Sequence, residues 1–163
     1  MYNINAKPKF SHTENLSNAL KTGLKKSPIV LCLGTDTILA DCLGPLVAEK
    51  LKQNNYPNFI YGGLSKPITS KNAEFASLFI DTIHSNTSKV IIDSMTTQNQ
   101  SRLGKIILSN SYIGAINNLN LKADLFIYGI TSILNSKSKF SYCRLYQIEE
   151  LANKIATALL TLT

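Results

Sequence analysis

The apolar run Pro28-Ile-Val-Leu-Cys-Leu-Gly34 decides the fold, because it leads into Thr35-Asp36 and then into Asp41-Cys-Leu-Gly-Pro45. A short run of β-branched and aliphatic residues between turn formers predicts a buried strand. A second run, Lys89-Val-Ile-Ile-Asp93, also ends on a carboxylate. In an open parallel sheet, ligands and chemistry gather at the carboxyl ends of the strands. The sequence therefore predicts a carboxylate site at this edge, built from Asp36, Asp41 and Asp93.

Strand-like and helical segments alternate along the rest of the chain. Further strands are predicted over 58–61, 105–108 and 124–128. Apolar residues at helical spacing predict helices over 13–24, 43–51, 72–83 and 148–162. One face of the third helix carries Phe75, Leu78, Phe79 and Thr82, and residues 131–143 form a polar excursion. The alternation predicts a single α/β domain over 1–163, with a mostly parallel sheet flanked by helices and residues 1–13 as an N-terminal arm.

Composition describes a globular chain with a cationic surface. Hydrophobic residues make up 44% of the 163, and no apolar stretch approaches the length of a membrane span. The N-terminal residues lack an apolar signal-peptide core, so we expect a cytoplasmic protein that does not associate with membranes. The net charge of +7 comes mainly from scattered lysines, which favours a solvated cationic surface over direct binding of nucleic acid.

Cysteine and histidine placement argues against several kinds of site. Three widely spaced cysteines without an export signal are typical of reduced thiols, and no C-x-x-C pair supports a structural zinc site. His12 lies in the arm, and His84 ends a helix at the edge opposite the aspartates. Neither histidine is placed to complete a Ser-His-Asp triad or to share a metal ion with the aspartates.

Each candidate carboxylate has both a structural and a chemical interpretation. Asp41 precedes a helix, where it either caps the helix or, kept ionised by the helix dipole, acts as a base or cation ligand. Asp93 either accepts backbone N–H groups in a turn or has a raised pKa because apolar neighbours desolvate it. If the two carboxyl groups face each other, one holds a proton and the other does not, as in a two-carboxylate hydrolase. Asp36 is either a turn former or a third ligand of a divalent-cation site shared with Asp41 and Asp93.

Two glycines, Gly34 and Gly44, bracket the loop between the first strand and the helix that follows it. They match neither G-x-G-x-x-G nor G-x-x-x-x-G-K-[ST], so a nucleotide-phosphate loop is not predicted. Gly44-Pro45 is instead expected to set a tight helix entry. We expect Gly34, Gly44 and Thr131 to support the loops of the site.

Several blocks of the chain resemble the YyaC-type sporulation proteins. Leu33-Gly-Thr-Asp36, followed by Asp41-Cys-Leu-Gly-Pro-Leu-Val47, resembles their opening block. Ile91-Ile-Asp-Ser94 is similar to a later block. Further matches are Tyr61-Gly-Gly-Leu64 with Pro67 and Asn72, and then Gly114, Asn117, Asp124 and Tyr128-Gly-Ile130. The resemblance covers the chain from about residue 28 onward.

The YyaC-type proteins are similar to the spore germination protease and to the endopeptidases that mature hydrogenases. The resemblance implies a phosphorylase/hydrolase-like α/β fold with three layers. It also implies that Asp41 and Asp93 correspond to the aspartates proposed as the catalytic pair of the germination protease. In the hydrogenase endopeptidases, the matching acidic residues and a later histidine contact nickel of the substrate. The later loop of this chain reads Gly129-Ile-Thr-Ser132, without a histidine, so a nickel contact is not expected.

Two functions of different class follow. The first is a protease-like hydrolase of sporulation or germination, cytoplasmic and located in the forespore or spore if the resemblance holds. It would act on a protein or peptide substrate, with Asp41 as general base and Asp93 holding the proton. The second is a catalytically inactive relative that uses the same crevice to bind a peptide or a partner protein. No cofactor is predicted apart from the divalent cation considered above, and a homo-oligomer is compatible with both functions.

Overall fold

The computed structural model describes residues 13–114, 119–134 and 142–163, so nearly all of the predicted arm (1–13), together with His12 and Asn117, lies outside the described residues. The helices are α1 (Thr13–Gly23), α2 (Leu43–Gln53), α3 (Ala73–Ile83) and α4 (Leu145–Leu160). The strands are β1 (Ile29–Cys32), β2 (Ile60–Tyr61), β3 (Lys89–Thr97), β4 (Ile106–Ser109), β5 (Leu125–Ile133) and β6 (Tyr142–Cys143). Short 3₁₀ turns span Leu39–Asp41 and Gln100–Arg102.

The strands form one sheet in the order β2-β1-β3-β5-β4. Within it, β2, β1, β3 and β5 run parallel, whereas β4 and β6 both pair antiparallel with β5. Parallel strands need crossover connections: α2 connects β1 to its neighbour β2, and α3 returns the chain from β2 past β1 to β3. The predicted α/β class, with a mostly parallel sheet flanked by helices, is confirmed.

Side chains that alternate along the central strands build an apolar core on each face of the sheet. On one face they pack against α1, α2 and α4, with Val30, Val90 and Ile127 at the centre. On the other face they pack against α3, with Leu31, Ile91 and Phe126 at the centre. The molecule therefore has the three layers that the resemblance implied. None of the described helices combines the length and the apolar character needed to cross a bilayer.

β3 and β5 are longer than predicted, which changes the position of Asp93. β3 continues to Thr97 and β5 to Ile133, and the two strands pair over this extension. Asp93 therefore lies within its strand, not at the end of it as expected. The sequence-based boundary was placed at the first polar residues, but parallel pairing satisfies their backbone groups as well as it does those of apolar residues. β1 does end early, at Cys32, so Asp93 lies beside the point where the neighbouring strand has stopped.

The apolar face predicted for α3 forms, but it points to solvent. Phe75, Leu78 and Phe79 are exposed, while Ser77 and Ile80 are buried with Ala73 against the sheet. Two of these three inner residues, Ala73 and Ser77, are small, and most of the large side chains of the helix lie on its outer side. The fold therefore presents an apolar helix face that no described part of the chain covers.

Close packing of α2 against the end of β1 shapes the loop between them. Gly44 lies in the first turn of α2, and a Cβ there would strike the backbone of Leu33. Gly34 has a φ of +125°, a conformation that other residues rarely adopt. A Cβ at Gly34 would strike the carbonyl oxygen of Asp41. The two glycines thus let strand, loop and helix meet beside Asp41.

The contact between α2 and β1 can be tested with Gly44→Ala. The added methyl group has no space against the backbone of Leu33, so we expect unfolding to become easier by about 1–3 kcal/mol. Thermal unfolding should show this as a clear fall in Tm. The control is Gly23→Ala, because Gly23 has open space around its Cβ position. An equal Tm for the two variants would contradict the proposed close contact.

Candidate active site

A cleft of about 390 Å³ opens at the carboxyl end of β1. Asp41 and Asp93 both line it, one from the turn before α2 and the other from β3. Lys71 contributes from the loop before α3, and Tyr112 and Leu119 contribute from the segment between β4 and β5. The structure thus places two of the three predicted carboxylates in one accessible hollow.

Ser94 forms a hydrogen bond with each of these carboxyl groups. Its hydroxyl donates to Oδ1 of Asp41 at 3.0 Å, and its backbone N–H donates to Oδ1 of Asp93 at 2.8 Å. Successive side chains of a strand point to opposite faces of the sheet. Ser94 therefore reaches toward the face covered by α2, while Asp93 belongs to the face covered by α3. A single residue in this way connects two carboxyl groups from distant segments.

Asp93 is a carboxyl group with a high affinity for its proton. Its pKa is raised to about 7, mainly by burial and to a smaller extent by the nearby negative charge of Asp41. The N–H bond from Ser94 acts in the opposite direction, because it favours the ionised form. The net effect of the site is a carboxyl group that still carries a proton in a large fraction of molecules near neutral pH.

Asp41 is the partner that ionises more readily. Burial raises its pKa, but the Ser94 hydroxyl and a backbone hydrogen bond from Thr35 both lower it. Asp41 does not cap α2: Cys42 occupies the N-cap position, and no side chain makes a capping bond there. The carboxylate is instead directed to Ser94. Burial is the largest of these effects, so the pKa of Asp41 is also raised above its ordinary value, but less than that of Asp93. Asp93 therefore keeps its proton at a pH where Asp41 is already ionised.

Asp36 does not join this pair. Its side chain is exposed, and it is absent from the lining of the cleft although Thr35 and Thr37 belong to it. Across the described part of the chain, no three His, Cys, Asp or Glu side chains assemble into a group suited to a metal ion. A divalent cation between Asp41 and Asp93 would therefore have two protein carboxylates and would take its other ligands from water or substrate.

Thr131 anchors the turn that carries Asp41. It lies fully buried in β5, and its hydroxyl donates to the carbonyl oxygen of Ala40 at 2.7 Å. On the other side, the N–H of Thr35 donates to the carbonyl oxygen of Asp41 at 3.1 Å. Two carbonyl oxygens of the turn thus accept hydrogen bonds, one from Thr131 and one from Thr35, and these bonds limit the movement of the Asp41 carboxylate.

The described histidine and the cysteines lie outside the carboxylate pair. His84 follows α3, and its Nε2 forms a hydrogen bond of 2.8 Å with the hydroxyl of Tyr61. Cys32, Cys42 and Cys143 are free thiols, and burial raises the pKa of each. None of these side chains lines the cleft, so no thiol or described imidazole stands beside the two carboxyl groups there.

Sequence reasoning predicted a backbone N–H bond from Ser94 to Asp93, but it missed the hydroxyl bond from Ser94 to Asp41. The residue follows Asp93 directly, but strand alternation argues that such neighbours act on opposite faces. The hydroxyl and the backbone N–H of one residue can nevertheless serve both faces where the adjacent strand has ended. The early end of β1 was the available signal, since Gly34 closes that run in the sequence.

Comparison with known proteins agrees with the fold and with the resemblance of the sequence blocks. Residues 2–158 match the family described as Protein of unknown function (DUF1256). The chain is 30% identical over 151 residues to Uncharacterized protein YyaC of Bacillus subtilis (strain 168), which covers 88% of this chain and 73% of that protein. The fold is similar to that of a NiFe hydrogenase maturation protease, HycI, from Thermococcus kodakarensis KOD1. That comparison has a TM-score of 0.53 and 18% identity, and it covers 90% of this chain and 99% of the other.

The raised pKa of Asp93 makes stability depend on pH. Below pH 3.8, the ordinary pKa of an aspartate, the Asp93 carboxyl group is protonated in both the folded and the unfolded protein. As the pH rises from 3.8 toward about 7, Asp93 ionises in the unfolded chain but not yet in the folded protein, so the free energy of unfolding falls. Asp93→Asn removes this loss, so we expect it to be more stable than the original protein at pH 8 by on the order of 2–4 kcal/mol.

Urea unfolding at pH 4, 5.5, 7 and 8 measures the effect. The difference between Asp93→Asn and the original protein should widen from pH 4 to 7 and then stay level. Asp36→Asn controls for the loss of one negative charge from an exposed position in the neighbouring loop. A difference that does not change with pH would show that Asp93 ionises freely in the folded protein.

Proposed function

We propose that this chain, which belongs to the DUF1256 family, is a peptidase-like hydrolase that acts through Asp41 and Asp93. The observation that carries the proposal is the pair of hydrogen bonds from Ser94, one to each carboxyl group, within a single open cleft. The two groups differ in their affinity for the proton, which is what hydrolysis by paired carboxylates requires. The fold shared with a maturation protease supports the assignment at the level of architecture.

Hydrolysis begins with a water molecule between the two carboxyl groups. Asp41 removes a proton from the water, the water oxygen attacks the carbonyl carbon, and Asp93 gives its proton to the carbonyl oxygen. The tetrahedral intermediate then collapses. Asp41 gives its proton to the leaving nitrogen as the C–N bond breaks, and a hydroxyl proton of the intermediate returns to Asp93. Each carboxyl group ends in its starting state, so the cycle consumes only water.

The cleft suits a peptide. Its walls are partly apolar, with Leu33, Ile38 and Leu119 near the carboxyl groups, and Lys71 adds a positive charge at the rim. Apolar walls hold side chains, and they also reduce the water around the reacting carbonyl. We place this activity in sporulation or germination, in the cytoplasm of the forespore or spore. The likeness of the sequence blocks to YyaC-type proteins supports that setting.

A second candidate function is binding without cleavage. Ser94 already occupies Oδ1 of both Asp41 and Asp93, so part of the hydrogen-bonding capacity of each carboxyl group is used within the protein. At the position of the later loop, Thr131 donates to backbone instead of contributing a catalytic or metal-binding group. In this alternative the cleft would retain a peptide without changing it.

Cleavage distinguishes the two functions. A library of unstructured peptides is incubated with the protein in water enriched in oxygen-18, and new carboxyl termini are read by mass spectrometry. We expect Asp41→Asn and Asp93→Asn each to reduce cleavage by about 10²–10⁴-fold, because each removes one half of the proton transfer. Asp36→Asn, outside the cleft, should retain the original rate.

The same assay decides against the mechanism if the two cleft variants cleave at the original rate. Retention of peptides without any label in their termini supports the binding function instead. Parallel reactions with a chelator of divalent cations test whether a cation shared by the carboxyl groups contributes.

The pH dependence of cleavage tests the role of each carboxyl group. Activity should fall above about pH 7, because Asp93 then loses the proton that it must donate. Ser94→Ala removes the hydroxyl that lowers the pKa of Asp41, so the acidic limb of the profile should move to higher pH. The N–H bond to Asp93 stays, so the alkaline limb should not move.

Ser70→Ala is the matched control, because it removes a hydroxyl of the cleft lining that lies outside the pair. Its profile should coincide with that of the original protein. If Ser94→Ala lowers the rate equally at every pH, Ser94 only supports the structure and does not tune Asp41.

A further inference from the structure

The outer side of α3 is an apolar surface. Phe75 is 74% exposed, Leu78 66%, Phe79 44% and Ile83 55%. These residues recur at the spacing of one helix face, so they form a continuous stripe along the 11 residues of α3. Solvated helix faces normally carry polar side chains, and a stripe of this kind indicates a surface that is covered in the working protein.

The stripe continues beyond the helix. The ring of Phe59, which is 57% exposed, lies against His84 with a centroid distance of 4.4 Å, and His84 directly follows α3. We call the surface formed by Phe59, Phe75, Leu78, Phe79 and Ile83 the α3 face. With about 150–250 Å² for a large apolar side chain, its exposed area is roughly 450–750 Å². That is at the upper end of what a monomer leaves uncovered.

We propose that the α3 face binds the α3 face of a second copy of this chain. Phe79 lies at the middle of the stripe, with Phe75 four residues before it and Ile83 four residues after it. A two-fold axis through Phe79 sets the helices antiparallel and brings Phe75 of each copy against Ile83 of the other. A surface that matches itself in this way is what a symmetric dimer requires.

The buried area is sufficient for a specific dimer. Complete contact between two copies of the α3 face removes roughly 900–1,500 Å² of apolar surface, before any polar rim is counted. Specific interfaces bury at least about 1,000 Å². The contact would therefore lie at the small end of stable dimers and should dissociate on dilution.

Charge also favours the pairing of this surface with itself. The chain carries a net charge of +7, yet no lysine or arginine occurs within α3, whose charged residues are Glu74 and Asp81. Asp81 is paired with Lys89 at 2.6 Å. Two cationic molecules can thus approach each other through a helix that carries no basic side chain.

Sedimentation velocity and light scattering at about 1–100 µM test the dimer without any substrate. We expect a mass that rises with concentration from 17.9 kDa toward about twice that value. Phe79→Glu places a charge on the two-fold axis and should give a monomer at every concentration, with an unchanged circular dichroism spectrum. Tyr146→Glu, which changes a more exposed aromatic residue at the start of α4, should remain dimeric.

A thiol at the axis provides a second readout. Phe79→Cys should form a disulfide-linked dimer under mild oxidation, because the two sulfurs meet across the axis, whereas Tyr146→Cys should not. An original protein that stays monomeric at 100 µM overturns the proposal and leaves the α3 face to a different partner. A dimer that resists Phe79→Glu, or that dissociates with Tyr146→Glu, also overturns it, because the interface then lies elsewhere.

Discussion

The unequal length of neighbouring strands is the constraint on which the site depends. β1 ends at Cys32, while β3 and β5 continue side by side for several residues. The loop from Gly34 to Asp41 lies beside β3 in the position that a longer β1 would occupy. α2 then packs so closely against the end of β1 that a side chain at Gly44 would strike the backbone of Leu33. The carboxyl group of Asp93 stays half-buried beside the end of β1. If β1 were longer, it would occupy the cleft that Asp41 and Asp93 line.

That arrangement also explains why two similar side chains differ in their affinity for a proton. Asp93 belongs to the interior of a sheet and is desolvated, so its pKa rises to about 7. Asp41 comes from a turn whose backbone is held by Thr131 and Thr35, and it accepts the hydroxyl of Ser94. The difference comes from the elements that carry the residues and not from the residue type. A substitution far from the cleft that lengthened β1 or loosened the turn would therefore affect both groups at once.

The sequence predicted the fold class well, because long apolar runs and helical spacing each have a direct physical meaning. It predicted that Asp41 and Asp93 would meet, since both follow strands that are neighbours in a parallel sheet. It placed Asp93 at a strand end because polarity alone does not reveal that Ser94 to Thr97 are paired with β5. It could not show that Asp36 turns outward, because the direction of a loop side chain depends on packing that is not local. The hydroxyl bond of Ser94 was overlooked because strand alternation argues that Ser94 and Asp93 act on opposite faces.

α3 carries apolar side chains both on the side that faces the sheet and on the side that faces away from it. An amphipathic helix on a single sheet carries apolar residues on its inner face and polar residues on its outer face. α3 instead has Ala73, Ser77 and Ile80 inside and larger apolar residues outside. Ala73 and Ser77 are small, and burying them contributes less free energy than burying the phenylalanines would. Rotating the helix to bury the phenylalanines would force large rings against a sheet surface already filled by Leu31, Ile91 and Phe126. The inner fit therefore dictates the outer exposure, and the apolar stripe is stabilised only when a second surface covers it.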